Sequence, residues 1–394
     1  MAILGREEQD AILDTVRKYC EEHVTPVAAE LDRAVDPADS FSWAIVEASH
    51  EAGIRTLSLP EEYGGIEADH LTTAMVVEEL ARADLGVSVF LAQTLKISRT
   101  LYQAGNDDQR ERFLRDYSQD PRGLMAIAIT EPEIGSNYII PYNDPKAPYR
   151  TSATKVDGGW KINGMKHFIS NGPRSTVYLL FAQTEKGKSL VEGSTCFLIK
   201  SGTPGFTLGQ THDKMGERLT NNAELVFEDC FVPDEDVLGE PGQGSALLER
   251  FFPASNAYAG ASVLGVADAA LERALDWCRI RVQGGKKLVE HDGIAHDLSE
   301  MRMLCDVARA YVHKACWTAD RRDEVPWDPT LGAYPKVFAS QVAWKVVTKC
   351  LELHGGTGYM REAGIEKLVR DCAAFSHSDG VNRSLLLKGS KYIL

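Results

Sequence analysis

One carboxylate near the C-terminal end, two turn-flanked segments and a few scattered cations are the groups in this sequence with chemical potential. Asp379 stands directly before Gly380 in Phe375-Ser376-His377-Ser378-Asp379-Gly380-Val381-Asn382-Arg383. Residue types alone make it a turn carboxylate; it becomes a base only where the fold sets it against a reacting C–H bond. The segment Ala126-Ile127-Ala128-Ile129-Thr130-Glu131-Pro132-Glu133-Ile134-Gly135-Ser136-Asn137 reads as a strand ending in a turn. Its hydroxyls and backbone N–H groups suit the polar edge of a heterocycle or a phosphate. Asn163-Gly164-Met165-Lys166-His167-Phe168-Ile169-Ser170-Asn171-Gly172 reads by itself as a strand between two turns, with Phe168 in the core. Arg281 alone is a solvated helix-end cation, and Gly355-Gly356 a helix C-cap. His291 and His296 stand apart from other ligand types and no His-Glu-x-x-His occurs, so no metal is expected. A strand followed by Gly-x-Gly-x-x-Gly is also missing, which argues against a nicotinamide dehydrogenase of the Rossmann type.

The elements that must position these groups fall into three blocks. From Glu7 to about Tyr117 the pattern is helical, with Ile12, Val16, Tyr19 and Cys20, and later Met75, Val76 and Leu80, at helix spacing. The loop Pro60-Glu61-Glu62-Tyr63-Gly64-Gly65 breaks it. From about Gly123 to Pro233, short β-rich runs such as Val177–Phe181 and Cys196–Ile199 alternate with turn clusters, as in a small antiparallel sandwich or barrel. From about Gly242 the chain is helical again, rich in Ala, Leu and Val. The fold class is therefore α+β, with an N-terminal helical domain over 1–120, a middle antiparallel β domain over 121–238 and a C-terminal helical bundle over 239–394.

The chain has 394 residues, enough for two or three domains and a large core. Charged residues at 25% and hydrophobic ones at 44% are ordinary for a globular protein, and the formal charge of −14 disfavours nucleic acid or an anionic membrane as partner. An anionic small ligand stays possible, because a local cluster can hold it. Eight cysteines are scattered without Cys-x-x-Cys spacing, which fits reduced structural thiols and a cytoplasmic location. The N-terminus turns acidic at once, unlike a signal peptide, and no apolar run is long enough for a membrane span.

Taken together, the segments say more than each does alone. Leu59–Gly65, Ile129–Ser136, Asn163–Gly172, Met215-Gly216-Glu217-Arg218, Val226–Pro233, Leu288-Val289-Glu290-His291, Glu352–Tyr359 and Arg370–Gly380 follow one another in the order and separation of acyl-CoA dehydrogenase signatures. Over nearly its whole length the chain resembles that family. The resemblance implies an N-terminal helical domain, a middle β domain and a C-terminal four-helix bundle, FAD as cofactor, and a homotetramer that shares FAD contacts between subunits. It places Ile129, Thr130, Gly135, Ser136, Phe168 and Ser170 around the flavin, with Phe168 where the family commonly has Trp. Arg281, Glu352, Gly355 and Gly356 would reach the FAD of a neighbouring subunit; Glu352 stands where Gln is usual. Ser136, Ser255, Asn256 and Gly380 would touch the substrate, although relatives often carry Arg at the position of Asn256.

The same resemblance makes Asp379 the base that takes the α-proton of an acyl-CoA while the β-hydride goes to the flavin, with an electron-transfer flavoprotein as acceptor. The family usually has Glu there, preceded by Tyr and followed by Gly-Thr, whereas this chain has Ser378-Asp379-Gly380-Val381. Some branches keep the base where this chain has Ser255. Aspartate is shorter by one methylene, roughly 1.5 Å of reach. The smaller neighbours suggest room for a ring, and the stretch Ser136–Pro145 looks like that of alicyclic carboxyl-CoA dehydrogenases, so cyclohexanecarboxyl-CoA is the expected substrate. The alternatives are a nitroalkane oxidase-like flavoenzyme with an Asp base, a catalytically degenerate CoA- or flavin-binding homologue, and 1,4-dehydrogenation of a cyclohexene-carboxyl-CoA. The last would need a second acid or base across the ring, and Phe90-Leu91-Ala92-Gln93-Thr94 offers no carboxylate.

Overall fold

The computed structural model describes residues 3–136 and 143–394, apart from the side chains of 251–254. Five helices lead: α1 (Arg6–Tyr19), α2 (Thr25–Asp32), α3 (Trp43–Glu51), α4 (His70–Ala83) and α5 (Leu85–Ala104). The last two start where a carboxylate takes up a helix-start N–H: Asp69 accepts from Thr72 N at 2.6 Å, and Asp84 from Val87 N at 3.1 Å. Helix α5 packs on α4, on strand β1 (Met125–Ala128) and on the long helix α6 (Gly244–Ile280), and is buried on most of its surface. Such a helix has little solvated face, so its polar residues Gln93 and Lys96 must find partners inside the protein.

Seven more strands of the same sheet follow β1 among the described residues: β2 (Ser152–Val156), β3 (Gly159–Ser170), β4 (Val177–Gln183), β5 (Ser194–Lys200), β6 (Phe206–Thr211), β7 (Asn222–Pro233) and β8 (Val237–Leu238). They pair in the order β6-β7-β3-β2-β4-β5-β8, with β1 beside β4. The expected antiparallel block is in fact mixed, since β1 runs parallel to β4 with Met125 opposite Val177. The chain makes the β2–β3 hairpin before it returns as β4, so β1 and β4 enter from the same end. Along β4 the side chains alternate as a pleat requires: Leu179 and Phe181 pack with Ile97 and Leu101 of α5, whereas Leu180 and Ala182 pack with Trp160 and Phe206.

In the β3–β7 pairing the register shifts between Lys166 and Ile169. At that bulge Phe168 takes a φ of +58°, and its ring turns out of the sheet to 58% exposure. The reading of Phe168 as a core aromatic is thereby overturned.

After the sheet come α6, α7 (Asp292–Ala319), α8 (Tyr334–His354), the short α9 (Ile365–Ala373) and α10 (Asn382–Ser390). Helices α6, α7 and α8 pack on one another, and α9 lies against α8 and α6. Helix α4 also packs along α6, so one apolar core, with Leu80 and Val266 among its members, joins the first and last helical blocks. No described helix is long and apolar enough to cross a membrane. All eight cysteines are free and buried.

Candidate active site

Between the sheet, helices α5 and α6, and the segment after α9 lies a cavity of about 790 Å³. That is the range of small-molecule and cofactor sites. The sheet contributes Ile129, Thr130, Gly135, Ser136, Phe168 and Ser170, all six of the residues expected around a flavin. Local bonds fix this wall: His167 N donates to Thr130 O at 2.8 Å, and Asn222 Nδ2 donates to Phe168 O and Ser170 Oγ, each at 3.1 Å. An aromatic ring held out from a sheet into a cavity, with hydroxyls on either side, suits a flat heterocycle with polar edges.

Asp379 and Gly380 lie on the opposite, helical wall. Asp379 has a φ of +48°, a left-handed conformation that a non-glycine residue holds only when its surroundings impose it. Lys336, fully buried on α8, imposes it. Its ammonium donates to Phe375 O at 2.8 Å, Gly380 O at 2.9 Å and Asn382 Oδ1 at 2.8 Å, which pins both ends of the turn. Burial lowers the Lys336 pKa to about 8, while the charges of Asp379 and Glu217 work the other way. Val381 N donates to Ser136 Oγ at 3.2 Å and ties the turn to the sheet wall. The aspartate carboxylate meets α5: Lys96 Nζ donates to Oδ2 at 3.0 Å, and Gln93 Nε2 lies 3.5 Å from Oδ1. Lys96 Nζ also donates to Ser255 Oγ at 2.9 Å.

A second carboxylate lines the cavity, and sequence reasoning missed it. Glu217 is 6% exposed at a φ of +50°, and its backbone N–H donates to Asp371 Oδ1 at 2.8 Å. Its Oε1 has no hydrogen-bond partner, and Lys214 Nζ stands 3.7 Å from Oε2. Burial raises the Glu217 pKa to about 7; Lys214 opposes the rise, and Asp371 and Asp379 add to it. In the unfolded chain a glutamate titrates near 4.3. The folded protein thus holds this proton longer, and stability is lost as pH climbs from that value through about 7. Glu217→Gln removes the effect. Urea unfolding of the FAD-loaded protein at pH 5 and pH 8.5 should show the variant gaining on the parent by about 1–3 kcal/mol more at the higher pH. An equal difference at both pH values would mean that Glu217 titrates normally.

Several expected residues lie elsewhere. Ser255 is buried against Lys96, and Asn256 turns into the helices, where its Nδ2 donates to Gly332 O at 2.6 Å. Neither is among the residues that line the cavity, and Ser255 is joined to the cavity wall through its hydrogen bond from Lys96. Arg281, Glu352, Gly355 and Gly356 gather at the far ends of α6 and α8, away from the cavity of their own chain. The Arg281 guanidinium sits 5.8 Å from the Trp277 ring centre, and Trp277 Nε1 donates to Leu353 O at 3.1 Å. Glu352 is exposed and pairs with Lys349 at 2.7 Å, while Gly355 takes a φ of +58° that favours glycine. The bulges of the sheet also bring His167, His212 and Glu224 together, their ligand-capable atoms within 4.8 Å of one another. Gln93 and Lys96 do not stand out in a helix that also carries Ser88, Thr94, Ser98, Arg99 and Thr100, so no signal in the sequence marks the two that α5 turns toward Asp379.

Three family models match the chain: the acyl-CoA dehydrogenase N-terminal domain over residues 6–119, the middle domain over 126–230 and the C-terminal domain over 242–391. The chain belongs to the acyl-CoA dehydrogenase family. Among its relatives, the short-chain specific acyl-CoA dehydrogenase of Megasphaera elsdenii is 33% identical over 96% of each chain. The cyclohex-1-ene-1-carbonyl-CoA dehydrogenase of Geobacter metallireducens is 30% identical over 96% of this chain and 95% of that one. The solved structure of butyryl-CoA dehydrogenase from Megasphaera elsdenii superposes with a TM-score of 0.91 at 31% identity, over the full length of both chains. The protein is accordingly a flavin-dependent oxidoreductase with FAD as its cofactor. The residues present fit that group: Phe168 offers a ring face, and the hydroxyls of Thr130, Ser136 and Ser170 offer polar partners.

Proposed function

We propose that this acyl-CoA dehydrogenase oxidises an alicyclic carboxyl-CoA thioester to its α,β-unsaturated product, with Asp379 as the base. The observation that carries the reading is the Asp379 carboxylate itself, aimed into the cavity from a turn that Lys336 locks. Its Oδ2 is held by Lys96, which leaves Oδ1 beside Gln93 as the oxygen turned to a substrate carbon. Proton transfer to such a fixed carboxylate needs little reorganisation. Bound FAD supplies the acceptor for the β-hydride, and Phe168, Thr130, Ser136 and Ser170 would hold its ring. The shorter base and the Ser378 and Val381 side chains leave space near the α and β carbons, which supports a ring; so do the relatives named for a cyclohexene substrate. Residues 137–142, part of the stretch that also suggested a ring, lie outside the described residues. The cluster of Arg281, Gly355 and Gly356 on the outer ends of two helices supports a homotetramer in which each subunit completes its neighbour's FAD site. An electron-transfer flavoprotein would take the electrons.

Anaerobic titration of the FAD-loaded protein tests the reading. Cyclohexanecarboxyl-CoA should bleach the flavin faster than butyryl- or octanoyl-CoA. Preference for a linear thioester removes the ring, reduction by cyclohex-1-ene-1-carboxyl-CoA alone moves the chemistry to 1,4-dehydrogenation, and reduction by a nitroalkane but no thioester replaces the reaction class.

A further inference from the structure

We propose that His167, His212 and Glu224 form a binding site for a transition-metal dication, with Zn²⁺ as the ion that suits it. The site does not depend on which thioester is oxidised, and none of its three residues is assigned a part in the proton or hydride transfer.

Two bulges that meet at one residue build it. Leu225 of β7 pairs with Lys166 of β3 and with Leu208 of β6, and Ala223 pairs with Ile169 and Thr211. Glu224 between them therefore faces two residues on each side, His167 and Phe168 on β3, Gly209 and Gln210 on β6. That is the two-against-one arrangement of a bulge, made twice around a single carboxylate. His212 follows β6, and its N–H donates to Asn222 O at 2.8 Å. Residues two apart on a strand share a face, so His212, opposite Asn222, comes to the side that Glu224 occupies.

Two imidazoles and a carboxylate thus stand with ligand-capable atoms within 4.8 Å of one another, each residue half-buried. His167 Nε2 lies 3.4 Å from Glu224 Oε1, and the two imidazole rings meet edge to face with 4.6 Å between centres. Gln210 N donates to Glu224 Oε2 at 3.2 Å and steadies the carboxylate. Each ring also keeps a buried nitrogen that no group of the protein bonds, Nδ1 of His167 and Nε2 of His212. Such atoms are costly to bury. A metal takes one nitrogen from each ring, and in His212 the unbonded Nε2 is ready for it. The ammonium of Lys214, two residues after His212, already has partners in Asn222 Oδ1 at 2.9 Å and Glu217 Oε2 at 3.7 Å.

Two imidazole nitrogens and one carboxylate oxygen make a three-ligand set with an open fourth position, which zinc accepts and which calcium and magnesium, with their preference for oxygen, do not favour. Zinc holds such ligands at about 2.0–2.2 Å, which puts the ligand atoms about 3.4 Å apart in a tetrahedral site. His167 and Glu224 already stand at that separation, and the remaining distances close by side-chain rotation. The side chains of His167 and Glu224 are 20% and 24% exposed, and His212 lies on the cavity wall, so an ion can enter. Both imidazoles lie against the Phe168 ring, at 3.9 and 4.8 Å between centres. A bound ion therefore braces the ring proposed above to carry the flavin; this consequence rests on that reading, and the site itself does not.

The test uses FAD-loaded protein stripped of metal with a chelator and dialysed against Zn²⁺, with Mg²⁺ in a parallel cell. The parent should take up one Zn²⁺ per chain with a Kd below about 10 µM, and no Mg²⁺ at the same concentration. His212→Ala should weaken zinc binding roughly a hundredfold and Glu224→Gln roughly tenfold. His296→Ala, at an exposed histidine outside the cluster, should leave the Kd as it is. Zinc K-edge X-ray absorption supplies a readout that needs no variant: the bound ion should show two imidazoles and a carboxylate oxygen. A parent Kd above about 10 µM overturns the proposal, as does zinc binding that His212→Ala and Glu224→Gln both retain, or a spectrum with thiolate sulfur or a single imidazole. Because the readout is zinc and not turnover, failure of every thioester to reduce the flavin would sink the dehydrogenase reading and leave this site standing.

Discussion

Asp379→Asn should keep FAD and thioester binding while slowing flavin reduction by roughly a hundredfold or more. The amide has the shape of the carboxylate and can still accept from Lys96 through its oxygen, so the turn and its contacts survive. What it lacks is the capacity to hold an additional proton at neutral pH. Rapid mixing of the anaerobic, oxidised enzyme with substrate reads the loss directly as the rate of bleaching, and exchange of the α-proton with deuterated water reads the proton step separately. A variant that bleaches as fast as the parent places the base elsewhere. Glu217, a buried carboxylate on the same cavity wall, is then the first residue to replace.

Lys336→Met should damage both stability and rate, although Lys336 is not on the cavity wall. Its ammonium fills three acceptors at once, two of them carbonyls at the ends of the Asp379 turn. Methionine fills the volume but leaves those acceptors without their donor inside the protein. A buried acceptor stripped of its partner costs about 1–3 kcal/mol, so a loss of about 2–4 kcal/mol in urea unfolding is expected after partial relaxation. The left-handed φ of Asp379 then loses its support, and displacement of a reacting group by about 1 Å can cost a hundredfold in rate. Flavin reduction should therefore slow by roughly ten- to a hundredfold. This variant differs from Asp379→Asn in keeping the Asp379 carboxylate, so its loss of rate reports the shape of the turn and not the loss of the proton acceptor. Parental stability together with the parental reduction rate would show that the turn holds its shape without Lys336.

The three-block order was legible because it depends on near-neighbour periodicity, which a sequence displays directly. The family was legible because several short segments kept both order and spacing, and six of its flavin-side positions do come together on one wall of the cavity. Asp379 could be proposed as the base for the same reason. The parallel entry of β1 beside β4 was not legible, because strand pairing is a contact between distant segments that local patterning does not encode.

Side-chain direction was decided only in three dimensions. Phe168 looks like any strand aromatic until a register shift with β7 turns it outward. Asn256 follows Ser255 in sequence, yet helix packing sends it toward Gly332. Glu217 lies 162 positions before Asp379 and carries no motif of its own as a base; burial beside Asp371 and Asp379 is what raises its pKa to about 7. Lys96 reads as one more helical lysine, and only the packing of α5 between the sheet and α6 removes its water and sets it on the Asp379 carboxylate. The sequence by itself determined which chemical groups this protein carries and in what order. The tertiary structure decided which of them lose their solvent and meet one another, because desolvation and long-range contact are properties of the packed chain.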